Sequence, residues 1–263
     1  MPASALMTVM INAARKAARS LARDFGEVEH LQVSVKGPGN FVSAADHRAE
    51  SILYEELSKA RQGYSFLMEE RGLVEGPDKT HTWIVDPLDG TTNFLHGIPL
   101  FAISIGLERD GELVAGLIYN PASGDIYTAE RGKGAFLNNK RLRVAARRRL
   151  ADSIVACALP HHGRGDLALG RREMAAVQDK VAGLRRFGAA ALDLAFVASG
   201  RFDAYWERDL SAWDMAAGLL LVREAGGFVS DLDGGDDMFA KHNIVAGNEP
   251  LHSDLRALLK GAG

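Results

Sequence analysis

A short acidic segment, "WIVDPLDGTTNF" at residues 83–94, combines side chains that could bind cations with a turn that could bind an anion. Asp86 and Asp89 stand three residues apart at the end of an apolar run that is typical of a strand. Gly90 permits a sharp turn and a close approach of the backbone to a ligand. The polar residues that follow suit a helix start, where free backbone N–H groups attract anions. Taken alone, the pattern is also typical of an acidic turn with no ligand.

Carboxylates elsewhere in the chain favour a cation site. Glu69 and Glu70 end the preceding apolar run, so a neighbouring strand could bring one of them beside Asp86. Asp214, in "SAWDMAAG", lies in the first turn of a predicted helix, where a surface aspartate would also complement the helix dipole. Carboxylates about 4 Å apart repel by about 4 kcal/mol at an effective dielectric near 20, so a cluster needs cations. Oxygen-only ligands indicate Mg²⁺ or Mn²⁺ rather than zinc.

The elements that must position the first carboxylates follow from hydrophobic periodicity. The spacing predicts helices over 4–25, ended by Gly26, and over 44–61. The predicted strands cover 64–69, 81–87, 101–109, 112–120 and 125–132. Asp110 and Gly111 separate two of these strands and indicate a hairpin. Residues 1–150 are therefore predicted to form a helix pair and an antiparallel sheet that carries most of the metal ligands.

Strands and helices alternate after the basic segment "RLRVAARRRL" at residues 141–150. The predicted strands cover 153–158, 202–207, 227–231 and 243–247, and the predicted helices cover 167–182, 189–199, 212–225 and the chain from 250. Alternation of this kind indicates layered α/β packing. Residues 151–263 are therefore predicted to form an α/β half that carries Asp214 and the substrate-facing residues. Without a flexible linker, the two halves are expected to form one compact catalytic unit with the metal site in their cleft.

Length and composition exclude several classes of protein. The chain has 263 residues, of which 47% are hydrophobic and 25% charged, as is ordinary for a globular protein. A net charge of −3 gives no general attraction to nucleic acid or to membranes. No apolar run approaches the roughly 18 to 20 residues that span a bilayer. A single cysteine, Cys157, excludes an internal disulfide and fits a reducing compartment, so we expect a cytoplasmic protein.

The motifs together identify a family resemblance. "DPLDGTTNF", followed downstream by "WDMAAG" and "EAGG" and preceded by the acidic pair and by "SAADHRAE", is similar to the inositol monophosphatase family of metal-dependent phosphatases. The resemblance runs through nearly the whole chain. It implies a five-layered αβαβα sandwich, a homodimer, sensitivity to lithium and two or three Mg²⁺ ions per site, with Mn²⁺ as a possible substitute.

The resemblance also assigns roles to individual residues. The metal ligands it implies are Glu69, Asp86, Leu88 through its backbone carbonyl, Asp89 and Asp214. The catalytic residues it implies are Glu69 and the pair Thr91 and Asp46, which orients a metal-bound water. The substrate-binding residues it implies are Glu69, Leu88, Asp89, Gly90, Thr91, Gly188, Ala189, Ala190, Glu207 and Asp214. Met68 departs from the family pattern, because glycine usually precedes the acidic pair, and this puts the local backbone path in question.

The implied reaction is hydrolysis of a phosphomonoester by direct in-line attack of a metal-activated water, without a covalent phosphoenzyme. The expected substrate is myo-inositol 1-phosphate or a similar polyol phosphate, because Glu207 and the "GAAALD" segment resemble the inositol-type branch of the superfamily. Fructose 1,6-bisphosphate, histidinol phosphate and a 3′-phosphonucleotide are the alternatives.

Two rival interpretations each fit part of the sequence. "DGT" also ends the D-x-D-G-T signature of haloacid-dehalogenase-like phosphatases, but here the aspartates are three apart with Pro87 between them. Some bacterial members of the family act as partners of the transcription machinery, and the basic run at 147–149 keeps RNA or RNA polymerase binding open. That run lacks the interleaved aromatic residues on which bases stack.

His161 and His162 are predicted to lie in a loop, without partners at metal-ligand spacing.

Overall fold

The computed structural model describes residues 3–25, 33–37, 40–160 and 165–263 of the chain. Its helices are α1 (Ala5–Phe25), α2 (Ala44–Ala60), α3 (Thr91–Leu95), α4 (Leu167–Gln178), α5 (Ala190–Ala198), α6 (Ala212–Glu224), α7 (Met238–Lys241) and α8 (Glu249–Ala262). Its strands are β1 (Val33–Gly37), β2 (Asn40–Ser43), β3 (Ser65–Met68), β4 (Gly72–Val74), β5 (His81–Asp89), β6 (Ala102–Arg109), β7 (Glu112–Asn120), β8 (Asp125–Glu130), β9 (Gly134–Leu137), β10 (Lys140–Arg141), β11 (Ile154–Cys157), β12 (Gly183–Arg185), β13 (Ala204–Arg208), β14 (Phe228–Ser230) and β15 (Asn243–Gly247). Gly26, His161 and His162 lie outside the described residues.

Two large sheets organise the fold. The larger has eight strands in the order β10-β9-β8-β7-β6-β5-β3-β4, and the smaller has five in the order β12-β11-β13-β15-β14. β1 and β2 form a separate antiparallel pair. The predicted hairpin joins β6 to β7, and its two central residues, Asp110 and Gly111, have φ of 53° and 79°. Positive φ at both central positions gives the turn that matches the twist of the flanking strands.

The elements stack in the order helix, sheet, helix, sheet, helix. The amphipathic α1 packs with α2 on one face of the larger sheet. α5 and α6 fill the space between the sheets, and α6 is buried without interruption from Met215 to Val222, as its unbroken apolar sequence requires. α4 and α8 cover the outer face of the smaller sheet. The chain thus has the predicted αβαβα sandwich.

Glycines on the larger sheet let α6 lie directly on it. A Cβ atom built at Gly106 of β6 would be 2.9 Å from the Cβ of Ala216, and one at Gly116 of β7 would be 2.9 Å from the carbonyl oxygen of Ala217. Only a residue without a side chain permits so close an approach. The close fit carries the first turn of α6, with Asp214, to the end of β5.

The structure corrects the element predictions in three places. The larger sheet is mixed rather than antiparallel, because β3 runs parallel to β5 while β4 pairs on its other side. The helix predicted over 167–182 ends at Gln178, and residues 183–185 form β12, an edge strand parallel to β11. The short elements β1, β2, β4, β9, β10, α3 and α7 have too few residues for a periodic pattern. None of the described helices is both long and apolar enough to cross a membrane.

Candidate metal centre

A bulge near the end of β5 turns two aspartates toward the same site. Residues three apart on a regular strand face opposite sides of the sheet. Here Asp86 pairs with Ser104 and Asp89 with Ala102, so an advance of three residues on β5 matches an advance of two on β6. The proline within the bulge has no N–H to lose from the ladder. As a result, Asp86 and Asp89 each offer a carboxyl oxygen to one site shared with Asp214, and these oxygens lie within 4.8 Å of one another.

Asp86 and Asp89 are held by the backbone while surrounded by negative charge. They are 2% and 8% exposed. The N–H of Leu88 donates to Asp86 Oδ1 at 2.8 Å, and the N–H of Ala191 donates to Asp89 Oδ2 at 2.7 Å. Burial, followed by the neighbouring carboxylates, raises the pKa of Asp86 and that of Asp89 well above the usual range. The site therefore disfavours its own negative charges unless a cation balances them.

Asp214 reaches this site from the first turn of α6. Ser211 is the N-cap, and its N–H donates to Asp214 Oδ2 at 2.7 Å. This is one half of a capping box, which fixes the side chain against the helix start. The hydroxyl of Ser104 on β6 donates to the carbonyl oxygen of Trp213 at 3.2 Å. The helix start is thus tied to the same sheet that carries Asp86.

Glu69 follows β3 at the same edge of the larger sheet. β3 is parallel to β5, with Met68 opposite Val85, so the next residues, Glu69 and Asp86, follow at the same level of the sheet. The charge of Glu69 is the first carboxylate, after burial, that raises the pKa of Asp86. Met68 is fully buried, and the N–H of Glu69 still donates to the carbonyl oxygen of Val85 at 3.3 Å. The unusual methionine therefore leaves the strand path intact.

The structure brings Thr91 and Asp46 together. The Thr91 hydroxyl lies 3.1 Å from Asp46 Oδ1 and 3.0 Å from the carbonyl oxygen of Leu88, either of which can accept its single proton. Asp46 caps α2 in a box with Ser43, whose N–H and hydroxyl donate to Asp46 Oδ2 at 2.9 Å and 2.6 Å. Burial raises the pKa of Asp46 against these hydrogen bonds. Both partners of Thr91 are thus fixed in place.

The loop at residues 188–190 lies against the turn that follows β5. Gly90 has φ of 85°, and a Cβ atom built there would be 3.2 Å from the Cβ of Ala189. Asn93, in the first turn of α3, donates from Nδ2 to the carbonyl oxygen of Phe187 at 2.7 Å. The acidic segment and the predicted substrate loop therefore form one continuous surface, although about a hundred residues separate them in the sequence.

Glu207 extends this surface from the smaller sheet. It lies near the end of β13, is 9% exposed, and accepts a hydrogen bond from the hydroxyl of Tyr205. Its charge contributes to the raised pKa of Asp89. Tyr205 and the buried Asp193 of α5 are polar residues near Glu207 that the sequence patterns did not predict as part of the site. The sequence did contain a signal for Asp193, because an aspartate in the otherwise apolar helix "AALDLAFVA" is unusual.

The cluster fits magnesium by the chemistry of its donors. Asp86, Asp89 and Asp214 offer only carboxylate oxygens, and three full charges within 4.8 Å repel by about 3 kcal/mol per pair at an effective dielectric near 20. A divalent cation would remove that repulsion. Oxygen donors without nitrogen or sulfur suit Mg²⁺ or Mn²⁺. The donors observed here therefore match the predicted metal.

Comparisons with known proteins identify relatives of the chain. The model of the inositol monophosphatase family matches residues 3–261 of the chain. The inositol-1-monophosphatase of Mesorhizobium japonicum is 64% identical over 260 residues, which cover 99% of this chain and 97% of that protein. Nus factor SuhB of Escherichia coli is 40% identical over 243 residues, covering 92% and 91% of the two chains. The crystal structure of extragenic suppressor protein suhB from Bartonella henselae superimposes with a TM-score of 0.96 at 57% identity, covering 98% of this chain and 99% of that one.

Proposed function

The chain belongs to the inositol monophosphatase family, and we propose that it is a magnesium-dependent phosphomonoesterase that hydrolyses myo-inositol 1-phosphate or a similar polyol phosphate. The observation that carries this proposal is the shared site of Asp86, Asp89 and Asp214, which lies beside the Gly90 turn. Residues 1–150 and 151–263 would act as one catalytic unit, because the first part supplies two of these carboxylates and the second supplies the third. We further expect a cytoplasmic homodimer that is sensitive to lithium.

The residues that would hold the metal are Glu69, Asp86, Asp89, Asp214 and the carbonyl group of Leu88. Mg²⁺ bound there neutralises phosphate charge and increases the acidity of a water molecule. The chain's own contribution is to keep the carboxylates fixed before substrate arrives. Backbone N–H groups bond Asp86 and Asp89, and the Ser211 N–H bonds Asp214, so little rearrangement is needed on binding.

Thr91 and Asp46 would orient the attacking water together with Glu69. When the Thr91 hydroxyl donates to Asp46, its oxygen lone pairs are left to accept a hydrogen bond from water. Asp46 cannot swing away, because Ser43 holds its other oxygen. The pair therefore sets the direction in which the water presents its lone pair, which is the requirement for in-line attack on phosphorus.

The Gly90 turn would bind the phosphate, and the loop packed against it would bind the leaving group. The backbone N–H groups of Gly90 and Thr91 would donate hydrogen bonds to the phosphate oxygens. Gly90 has a positive φ, which glycine adopts more readily than any other residue. The loop from Gly188 to Ala190 would line the sugar or polyol. Glu207 would accept hydrogen bonds from its hydroxyl groups, because a carboxylate is a strong acceptor for neutral hydroxyls.

A phosphate-release screen with Mg²⁺ tests the proposal. The substrates are inositol 1-phosphate, glycerol 2-phosphate, fructose 1,6-bisphosphate, histidinol phosphate and adenosine 3′,5′-bisphosphate. We expect the highest kcat/KM with inositol 1-phosphate and no release when the metal is removed by a chelator. Preference for histidinol phosphate or the bisphosphate nucleotide would overturn the substrate assignment. A trappable aspartyl-phosphate would overturn the direct attack by water.

A second candidate function, association with RNA or the transcription machinery, is favoured by the relatives that carry the name Nus factor SuhB. The basic run gives it little support, since Arg147 bonds Asp203 at 2.6 Å and Arg149 bonds Asp152 at 2.7 Å. Titration of the purified protein with RNA and with RNA polymerase at several salt concentrations tests it. Absence of saturable binding would dispose of this candidate.

A further inference from the structure

A tyrosine and a glutamate share one face of β13 behind the substrate surface. Tyr205 and Glu207 are two residues apart on the strand and therefore point to the same side. Tyr205 is fully buried in the core between the two sheets, and its hydroxyl donates a short hydrogen bond to Glu207 Oε2. Because packing fixes the ring, the position of this hydroxyl is set by the fold and not by the substrate.

Asp193 is a second buried acid beside this pair. It lies in α5, is 0% exposed, and within the described chain neither of its carboxyl oxygens has a hydrogen-bond partner. Burial, and then the charges of Glu207 and Asp89, raise the pKa of Asp193 well above the usual range. Asp193 therefore makes no hydrogen bond to Glu207 in the described structure, and burial disfavours its charged form.

We propose that Tyr205 is a positioning residue that holds the Glu207 carboxylate in the orientation that accepts the hydroxyl groups of the leaving polyol. This inference rests on the proposed function, because it assigns Glu207 to the leaving group. A partly buried carboxylate needs hydrogen-bond donors from the protein. Without them it would rotate toward water and would no longer face the substrate. Tyr205 supplies one such donor in the structure.

The main variant removes one hydroxyl group. Tyr205→Phe should raise the KM for inositol 1-phosphate about tenfold, the effect of losing one hydrogen bond to a charged group. The kcat/KM for p-nitrophenyl phosphate should change less than twofold, because that leaving group has no hydroxyls for Glu207 to bind. Tyr127→Phe is the matched control: Tyr127 is equally buried in the same core, but its hydroxyl bonds Arg201. It should leave both substrates unaffected.

Two further measurements keep the inference falsifiable. Tyr205→Phe should have no additional effect in a Glu207→Gln background, whereas independent effects would multiply. Asp193→Asn should keep the wild-type KM for inositol 1-phosphate, because Asp193 makes no hydrogen bond to Glu207. The inference is overturned if Tyr205→Phe behaves like Tyr127→Phe, or if it slows both substrates equally.

Failure of the proposed function would look different. Wild-type protein would then hydrolyse p-nitrophenyl phosphate or another ester but not inositol 1-phosphate. In that case the same variants are compared on the polyhydroxyl phosphate that the wild type hydrolyses fastest. An unchanged KM in Tyr205→Phe on that substrate would overturn the positioning role.

Discussion

Replacing Asp89 by asparagine should abolish activity and at the same time stabilise the metal-free protein. Asparagine has nearly the same size and keeps an oxygen that can accept the N–H of Ala191, now at 2.7 Å from the carboxylate. What it removes is a negative charge and a proposed metal ligand. Magnesium-dependent phosphate release should therefore fall below detection in a folded protein.

The gain in stability follows from the geometry of the cluster. Asp89 has two carboxylate neighbours, Asp86 and Asp214, with oxygens within 4.8 Å, and each fully charged pair costs about 3 kcal/mol at an effective dielectric near 20. Proton uptake relieves part of this repulsion, as the raised pKa values of Asp86 and Asp89 indicate. We expect the free energy of unfolding to rise by about 1 to 2 kcal/mol, roughly 2 to 6 °C in Tm.

Thermal unfolding in chelator and in Mg²⁺ measures both effects, and Asp203→Asn is the control. Asp203 is also buried, but Arg147 donates to it at 2.6 Å and the N–H of Ile154 donates at 2.8 Å. Removing that charge should lower the stability by about 1 to 2 kcal/mol and leave the response to Mg²⁺ unchanged. If metal-free Asp89→Asn is destabilised like Asp203→Asn, or if it turns over normally, the electrostatic reasoning is wrong.

Two further predictions concern packing and pH. Gly106→Val should destabilise the protein by about 1 to 3 kcal/mol and raise the Mg²⁺ concentration needed for half-maximal activity, because its Cβ would lie 2.9 Å from Ala216 and displace the helix that carries Asp214. Gly261→Ala, with open space around it, should do neither in the same chemical denaturation and metal titrations. His252 is buried beside Ser230, and burial lowers its pKa from 6.5 to about 4. As the pH falls, the unfolded chain therefore takes up a proton at this imidazole before the folded chain does. About 2 kcal/mol of the free energy of unfolding, after allowance for solvent screening, should be lost between pH 6.5 and 4. Denaturation of His252→Gln across that range should show a correspondingly smaller loss; an equal loss would contradict the assignment.

The long helices and strands were predictable because their causes are local. The apolar spacing of residues 5–25 and 44–60, and the Asp110–Gly111 turn, depend on side chains within a few residues of one another. The same holds for the Ser211 cap that fixes Asp214. Short edge elements such as β12 depend on the strand beside them, which no local pattern records.

The candidate site also has some features that the sequence determines and others that only the fold determines. Sequence determined which residue types were available: carboxylates at strand and helix ends, a glycine turn, and the family to which their order belongs. Only the tertiary structure decided that they meet. The bulge after Asp86 reverses the side to which Asp89 points, and Gly106 and Gly116 let α6 bring Asp214 close. Asn93 bonds the chain just before the distant loop at residues 188–190. Burial is also the main cause of the raised pKa of Asp193, and burial is a property of the folded chain.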